Sequence, residues 1–255
     1  INRTGKAGEI AIKLAEEQDL VEFFKHFLFY FQYPGGHIKS HKLKAAIDNG
    51  VKFKPAQYFL KVLEAGEKKT GKRFGFNKAE ATHLIYHDLR AIRDSCPPAE
   101  IVGRILQNRK DEVIMNWRSD TVRYAGDILD YMVIADLLVQ HGTDYYINWK
   151  DRETVTAFLE SDLWFSGYDH LFGTDFTVRA VGEIEDSWFR HVNTGLGDEL
   201  FKTDVLKYLG IEEESYSQLV SNAISDIEAS FDPKNVRNTK EIGDFGENLI
   251  LGHES

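Results

Sequence analysis

The sequence predicts a mainly α-helical fold with small β wings, in the α+β class, and three observations lead there. Apolar residues recur at helical spacing along most of residues 19–138. Two short β-rich runs then flank a turn at residues 141–144, which indicates a hairpin. With 42% apolar residues in a chain of 255, one or two domains can bury a substantial core. This succession of helices and a two-stranded hairpin is the element order of winged-helix subdomains.

The first predicted helix runs from Asp19 to Gln32 and carries an aromatic stripe on its core side. It ends at Tyr33-Pro34-Gly35-Gly36, because a proline disfavours a helical residue before it and glycines permit a sharp turn. Residues 37–54 are predicted to form a lysine-rich loop. Pro55 then begins a helix that runs to Ala65, with Gly66 as its terminator.

The next two predicted helices each have a recognisable start. Asn77, with Glu80 three residues on, has the pattern of a capping box at the start of a helix over residues 77–88. Pro97 and Pro98 restrict the backbone ahead of a second helix over residues 98–113. The apolar stripe of this second helix is expected to face the core, with its polar and basic side chains outward.

A third apolar pattern, over residues 122–138, predicts a helix that ends near His141-Gly142, where the glycine can terminate it. On either side of this turn, Val139-Gln140 and Tyr145-Tyr146-Ile147 predict the two strands of a hairpin. A short helix is expected over residues 152–159.

Residues 161–255 have the composition of an acidic linker region. Their sequence predicts a strand at 176–181 and helices near 201–209 and 216–231. The predicted fold is therefore winged-helix subdomains plus a helical linker region.

The charge of the chain is strongly polarised. Its net charge is −10, but residues 25–78 hold 12 Lys and Arg against 3 Asp and Glu, whereas residues 143–255 hold 9 against 23. One surface of such a protein attracts phosphates and another repels them, which helps to set the orientation of a polyanionic partner. A basic loop of this density can also be simply solvated.

The basic segment and the helix over residues 98–113 supply the candidate contacts to a duplex. Cations and polar groups can hold phosphates, while arginine suits guanine O6 and N7 and asparagine suits adenine N6 and N7. The candidate phosphate contacts are Lys39, His41, Lys42, Lys44, Lys52, Lys54, Lys72, Arg73, Asn77 and Lys78. The candidates on the helix are Arg104, Gln107, Asn108, Arg109 and Lys110, with Arg104, Asn108 and Arg109 as base readers.

Several other classes of protein are not indicated. The single cysteine, Cys96, allows no internal disulfide, and no apolar run is long enough to predict a membrane span. Serine-hydrolase, P-loop and dinucleotide motifs are absent. His83 and His87 have the spacing of a helical metal pair, but no third ligand is evident. Neither a metal site nor a catalytic residue is predicted within this chain.

Several segments of the first three-fifths of the chain together carry a resemblance to a known family. They are TGKAGE at 4–9, FFKHFLFYFQYPGG at 23–36, Pro-x-x-x-Phe-Leu-x-x-Leu at 55–63, EIVGRILQNR at 100–109, RYAGDILDYMVIADLL at 123–138 and YYINWKDRETVTAFL at 145–159. In their order and spacing they resemble the DNA-recognition part of type IIS restriction endonucleases of the AlwI and BpuJI kind.

The resemblance implies a module that reads a short asymmetric site in double-stranded DNA, in a prokaryotic cytoplasm. Residues 1–54 would be the end of an earlier winged-helix subdomain with the aromatic helix and basic loop, and residues 55–160 the winged-helix DNA-binding domain. Residues 161–255 would be an acidic linker that leads to a nuclease core outside the chain. That core would need Mg²⁺, whereas no cofactor is expected in this chain itself.

Two other functions remain open. A winged-helix scaffold that binds a partner protein would agree with the overall negative charge. A nuclease with an unrecognised site would need a carboxylate and an Asp/Glu-x-Lys on a strand. The tripeptides at 67–69 and 232–234 have the second pattern, but neither is predicted to lie on a strand.

Overall fold

A computed structural model describes residues 20–117 and 120–192 of the chain. These residues belong to one compact unit, Ile1–Asp198; the second unit, Glu199–Ser255, which includes the helices predicted near 201–209 and 216–231, lies outside the described residues. The described part is mainly helical and contains one three-stranded antiparallel sheet. The predicted α+β class is confirmed.

Helix α1 spans Leu20–Tyr30 and helix α2 spans Ser40–Asp48, so the prediction that residues 37–54 are all loop was wrong. Leu43 and Ile47, one turn apart on α2, are only 3% and 0% exposed. Burial of this pair stabilises a helix whose sequence is dominated by polar residues.

Helix α3 spans Pro55–Thr70 and is longer than predicted. Gly71, in the left-handed conformation with φ 66°, ends it, and Gly66 does not. Gly66 lies within the helix, and a Cβ at that position would collide with the ring of Phe74. This glycine is therefore required by packing.

Strand β1, Gly75–Asn77, was not predicted; helix α4, Lys78–Ala81, and a π-helical turn, Thr82–Tyr86, follow it. The predicted capping box is confirmed. Asn77 Oδ1 accepts a hydrogen bond from the Glu80 N–H at 2.9 Å, and Glu80 Oε2 accepts one from the Asn77 N–H at 3.1 Å. These two bonds satisfy backbone donors at the start of α4.

Helix α5, Leu89–Ile92, leads to helix α6, Pro98–Lys110. Helix α6 begins at the predicted proline but ends at Lys110, before the predicted residue 113. Two residues after this end, Glu112 takes a left-handed φ of 51°. Ile101, Val102 and Ile105 of α6 are completely buried.

Helix α7 spans Asp120–Ile134 and stops well before Gly142, so its predicted end was wrong. Strands β2, Leu138–His141, and β3, Asp144–Ile147, then form the predicted hairpin. Strand β1 pairs with the other side of β3, which gives the antiparallel order β1-β3-β2.

The remaining described chain is a series of short helices. They are a 3₁₀ turn at Trp149–Asp151, α8 at Arg152–Glu160, a 3₁₀ helix at Ser166–Leu171, α9 at Val178–Glu183 and α10 at Glu185–Val192. Helix α8 confirms the helix predicted over 152–159. The strand proposed at 176–181 was wrong, because Thr177 caps α9 by accepting a hydrogen bond from the Ala180 N–H at 3.4 Å.

The core lies around α3, whose buried face contacts α6, α7, α8 and the sheet. A second cluster joins α2 to the last helices through Leu43, Ile47, Tyr168, Leu171, Phe176, Val181 and Trp188. Packing also crosses the predicted domain boundary at residues 160–161, since the Gln32 side chain bonds both the N–H and the C=O of Phe165. The predicted domain limits stay predictions.

Candidate nucleic-acid interface

The basic residues predicted to bind phosphate lie in two groups, one beyond each end of α3. Residues 39–54 precede the start of this helix, and residues 72 and 73 follow its end. A helix of 16 residues is about 24 Å long. The candidate cations therefore flank this long helix in sequence on both sides.

The cations before α3 differ in whether they already have an ion-pair partner within the described residues. Lys39, His41 and Lys42, at the start of α2, are exposed and have no ion pair within the described residues. Lys44, by contrast, pairs with Asp48 at 2.7 Å and lies 4.5 Å from the centre of the Phe176 ring. A cation that already has an ion-pair partner gains less binding free energy from contact with a phosphate.

Lys52 and Lys54 are held by the fold. Lys52 pairs with Asp169 at 3.2 Å, and its Nζ lies 4.6 Å from the centre of the Phe172 ring. Lys54 Nζ donates to the Leu163 carbonyl at 2.9 Å, and burial, with a smaller effect from Lys61, lowers the pKa of Lys54 to about 8. Both lysines already have partners within the fold, which makes them poor candidates for phosphate contacts.

The group after α3 meets the tip of the hairpin. Lys72 and Arg73 are exposed, and Arg73 Nη1 donates to His141 Nε2 at 3.2 Å. The Arg73 guanidinium also lies 4.8 Å from the centre of the Tyr146 ring on β3. Lys69, in the last turn of α3, is exposed as well.

Asn77 and Lys78 have structural partners. Asn77 accepts the capping hydrogen bond at the start of α4, and Lys78 pairs with Asp130 of α7 at 2.7 Å. Asp130 also accepts a hydrogen bond from the Tyr145 hydroxyl at 2.7 Å. The Lys78 and Tyr145 contacts thus connect α4 and β3 to α7.

The two arginines predicted to read bases are held by buried carboxylates. Arg104 donates to Asp88, whose side chain is only 7% exposed, and to the Leu84 carbonyl at 3.3 Å. Burial alone would raise the pKa of Asp88, but hydrogen bonds from Arg90 and Arg104 outweigh it and lower that pKa to about 2. This arrangement favours a structural role for Arg104.

Arg109 makes a bidentate pair with Glu80, with both N–O distances at 2.7 Å. It also donates to the Gly75 carbonyl at 2.8 Å, and the Glu80 side chain is 7% exposed. Arg109 thereby ties the end of α6 to β1 and to the capping box of α4. A base contact would require it to leave a buried carboxylate without its cation.

Of the other predicted residues on α6, Gln107 donates to both carboxylate oxygens of Asp111. Asn108 and Lys110 make no side-chain hydrogen bond or ion pair with any described residue. Lys110 is exposed, whereas Asn108 lines an open cleft of about 420 Å³. These two side chains remain available to a ligand.

Lys69 lies in the last turn of α3 and is exposed. The sequence analysis did not name this lysine as a candidate phosphate contact. It assigned His141 only to a turn. It also passed over the exposed face of α7, where Arg123 and Tyr124 lie near its start, and Trp117 in the preceding loop. The position of α7 directly before the hairpin could have indicated this face from the sequence.

Residues 20–117 and 120–192 contain no group of three His, Cys, Asp or Glu that could hold a metal ion. His83 instead bonds the Asn116 carbonyl through Nε2 at 2.9 Å. The tripeptide at 67–69 lies on α3 and not on a strand. Over the same residues, no helix is long and apolar enough to cross a membrane.

Comparisons with known proteins agree with the fold. No curated protein matches the chain. A solved structure, "Crystal structure of pyrene- and phenanthrene-modified DNA in complex with the BpuJ1 endonuclease binding domain", is similar at a TM-score of 0.62 and 17% identity, over 73% of this chain and 68% of that chain. The sequence model described as "Restriction endonuclease BpuJI - N terminal" matches residues 2–189. The chain belongs to the family of the N-terminal region of restriction endonuclease BpuJI.

Proposed function

We propose that this chain is the sequence-specific double-stranded DNA recognition module of a restriction endonuclease. The observation that carries the proposal is membership of a restriction endonuclease family over residues 2–189. The shared fold with a binding domain crystallised in complex with DNA supports it.

The proposed architecture is a winged helix built from α3, the α4 and π-helical segment, and α7, with the β2-β3 hairpin as the wing. The sheet order β1-β3-β2 and the position of α7 directly before the hairpin support this assignment. In helix-turn-helix proteins, the second helix of the motif lies in the major groove and contacts bases through its N-terminal residues. That role moves from α6, where the sequence first suggested it, to α7.

Phosphate contacts are assigned to those cations of residues 39–110 that are exposed and have no ion pair inside the described residues. Lysine and arginine at such positions release counterions from DNA without first breaking an ion pair. The set is Lys39, Lys42, Lys69, Lys72, Arg73 and Lys110. His41 and His141 lie beside these cations.

Base contacts are assigned to the exposed side of α7 and to Asn108. Arg123 lies 5.3 Å from the centre of the Tyr124 ring, and both residues are exposed near the start of α7. Arginine can bond guanine in two places, and asparagine can bond adenine in two places. Arg104 and Arg109 are assigned to holding the fold.

The parent enzyme is proposed to need Mg²⁺ and to act in a prokaryotic cytoplasm. The catalytic carboxylates are assigned to a nuclease core separate from the residues described. Mg²⁺ in such a core would neutralise charge on the phosphate and activate water.

Selection of bound duplexes from a random pool tests the proposal, and enrichment of one short motif is the expected result. The Lys72→Ala variant should then weaken binding to all sequences about equally, since a phosphate contact carries no sequence information. Lys52→Ala is the matched control with little effect, because Lys52 already pairs with Asp169. A pool with no enriched motif would refute sequence-specific recognition.

A protein-interaction scaffold is the second candidate, and the loop between α6 and α7 favours it. Val113, Ile114 and Trp117 there are 51%, 96% and 47% exposed, which is unusual for large apolar side chains. A scaffold would bind no duplex at low salt, so the same selection separates the two functions.

A further inference from the structure

A cleft of about 420 Å³ opens between the end of α6, the loop over residues 111–117 and the start of α4. Its lining is mixed. The apolar part includes Val113, Met115 and Trp117, and the polar part includes Asn77, Asn108 and Asp144. The volume falls in the range of small-molecule sites and exceeds what a few waters need.

The loop that forms one wall of this cleft is held in place at several points. Glu112 adopts a left-handed φ of 51°, and the Val113 N–H donates to the Asn108 carbonyl at 2.9 Å. Farther along, the Asn116 carbonyl bonds His83 at 2.9 Å. Trp117 is thus presented by an anchored loop, with its side chain on the cleft and 47% exposed.

The chemistry of the polar wall selects against phosphate. Glu112 and Asp144 are acidic, while the charge of Arg109 is matched by Glu80. Carboxylates and amide oxygens accept hydrogen bonds from exocyclic amino groups, as on cytosine N4 and adenine N6. Asn108 has no side-chain hydrogen bond within the described residues, so its amide is available for such a contact.

The shape of the site limits how a base could reach it. A base edge inside a duplex is read by a side chain that protrudes into a groove, whereas a concave cleft receives only a group that protrudes from the DNA. An aromatic face beside hydrogen-bonding groups is the surface that holds an unstacked base.

We propose that this cleft binds one extrahelical amino-bearing base, adenine or cytosine, of the bound DNA, with Trp117 as the stacking face and Asn108 as a hydrogen-bonding group. The inference rests on the proposed function, because the base must come from a duplex held elsewhere on the same module. It adds an unstacking step to recognition, in which one base pair opens and no covalent bond changes.

Mismatch scanning of the selected duplex tests the inference. A mismatch removes the cost of opening a pair, so at the position whose base enters the cleft it should tighten binding by about tenfold or more. An adenine or cytosine at that position should also gain reactivity toward chloroacetaldehyde, which modifies unpaired amino-bearing bases. Trp117→Ala and Asn108→Ala should each remove most of the mismatch preference, while Trp117→Phe should keep much of it.

Two variants serve as controls. Val178→Ala removes an apolar side chain of similar exposure on α9, and Asn49→Ala removes an exposed amide at the end of α2; neither should change the mismatch preference. If the duplex binds but no mismatch tightens binding and no base becomes reactive, the cleft takes no base and the proposed function stands. If no duplex binds at all, the proposed function fails and this inference fails with it.

Discussion

Replacement of Arg109 by methionine separates a base-reading arginine from one that holds the fold. The change removes the bidentate pair with Glu80 and the bond to the Gly75 carbonyl, and leaves a carboxylate that is 7% exposed without its cation. Loss of one partner of a buried pair costs about 3–5 kcal/mol. The Arg109 side chain is 38% exposed, so screening by solvent reduces the expected loss to about 2–3 kcal/mol.

The assay is urea and thermal unfolding of the wild type and the Arg109→Met variant. For a protein of this size the loss corresponds to a fall in Tm of roughly 4–12 °C. Adding Glu80→Gln to the variant should recover at least about 1 kcal/mol, because glutamine can keep the capping hydrogen bond but carries no buried charge. Lys110→Ala, at the next and exposed position, should leave stability within about 0.5 kcal/mol of the wild type.

An Arg109→Met variant that is as stable as the wild type, with weaker DNA binding, would refute this reasoning. It would return Arg109 to the base-reading role that the sequence first suggested. A stability loss that Glu80→Gln fails to reduce would show that the buried charge is not its cause.

Two further predictions concern stability. The folded-state pKa of Asp88, about 2 with Arg90 and Arg104 beside it, lies below its ordinary value of 3.8, so its contribution to stability is present above about pH 4 and is lost as pH falls toward 2. Unfolding midpoints between pH 5 and 2 should therefore fall more steeply for the wild type than for Asp88→Asn, and parallel curves would contradict the assignment. Gly66→Ala should cost about 1–3 kcal/mol in chemical unfolding, because its Cβ meets a packed ring. Gly182→Ala, in a helix with open space around it, should instead be neutral or stabilising by up to about 1 kcal/mol, and equal effects at the two glycines would contradict the packing argument.

Local features of the fold were readable because their physical causes lie within a few residues. The capping box needs only Asn77 and Glu80, the start of α6 needs only its prolines, and the hairpin needs only a turn between two β-rich runs. Helix α2 was missed because its two buried residues matter only once the last helices cover them. Gly66 was wrongly predicted to end α3, because the Phe74 ring that leaves no room for a side chain there lies outside the helix.

The candidate site was harder to predict for the same reason. Arg104 and Arg109 look like free cations on a helix face, but their carboxylate partners are 16 and 29 residues away in sequence. The neighbour of Lys52 is likewise remote, at Asp169. The density of charge in the sequence thus identified a basic region. Ion pairs with residues distant in sequence determine which of its lysines and arginines remain available to a phosphate.

The dependence of duplex affinity on salt tests the central claim most directly. Six cations without an internal ion pair were assigned to phosphates, and each contact contributes about −0.9 to the slope of log K against log salt. Binding should therefore weaken with a slope of about −5 between about 50 and 200 mM salt, and Lys72→Ala should reduce its magnitude by about 1. Absence of duplex binding at low salt, or an affinity that does not change with salt, would contradict the account.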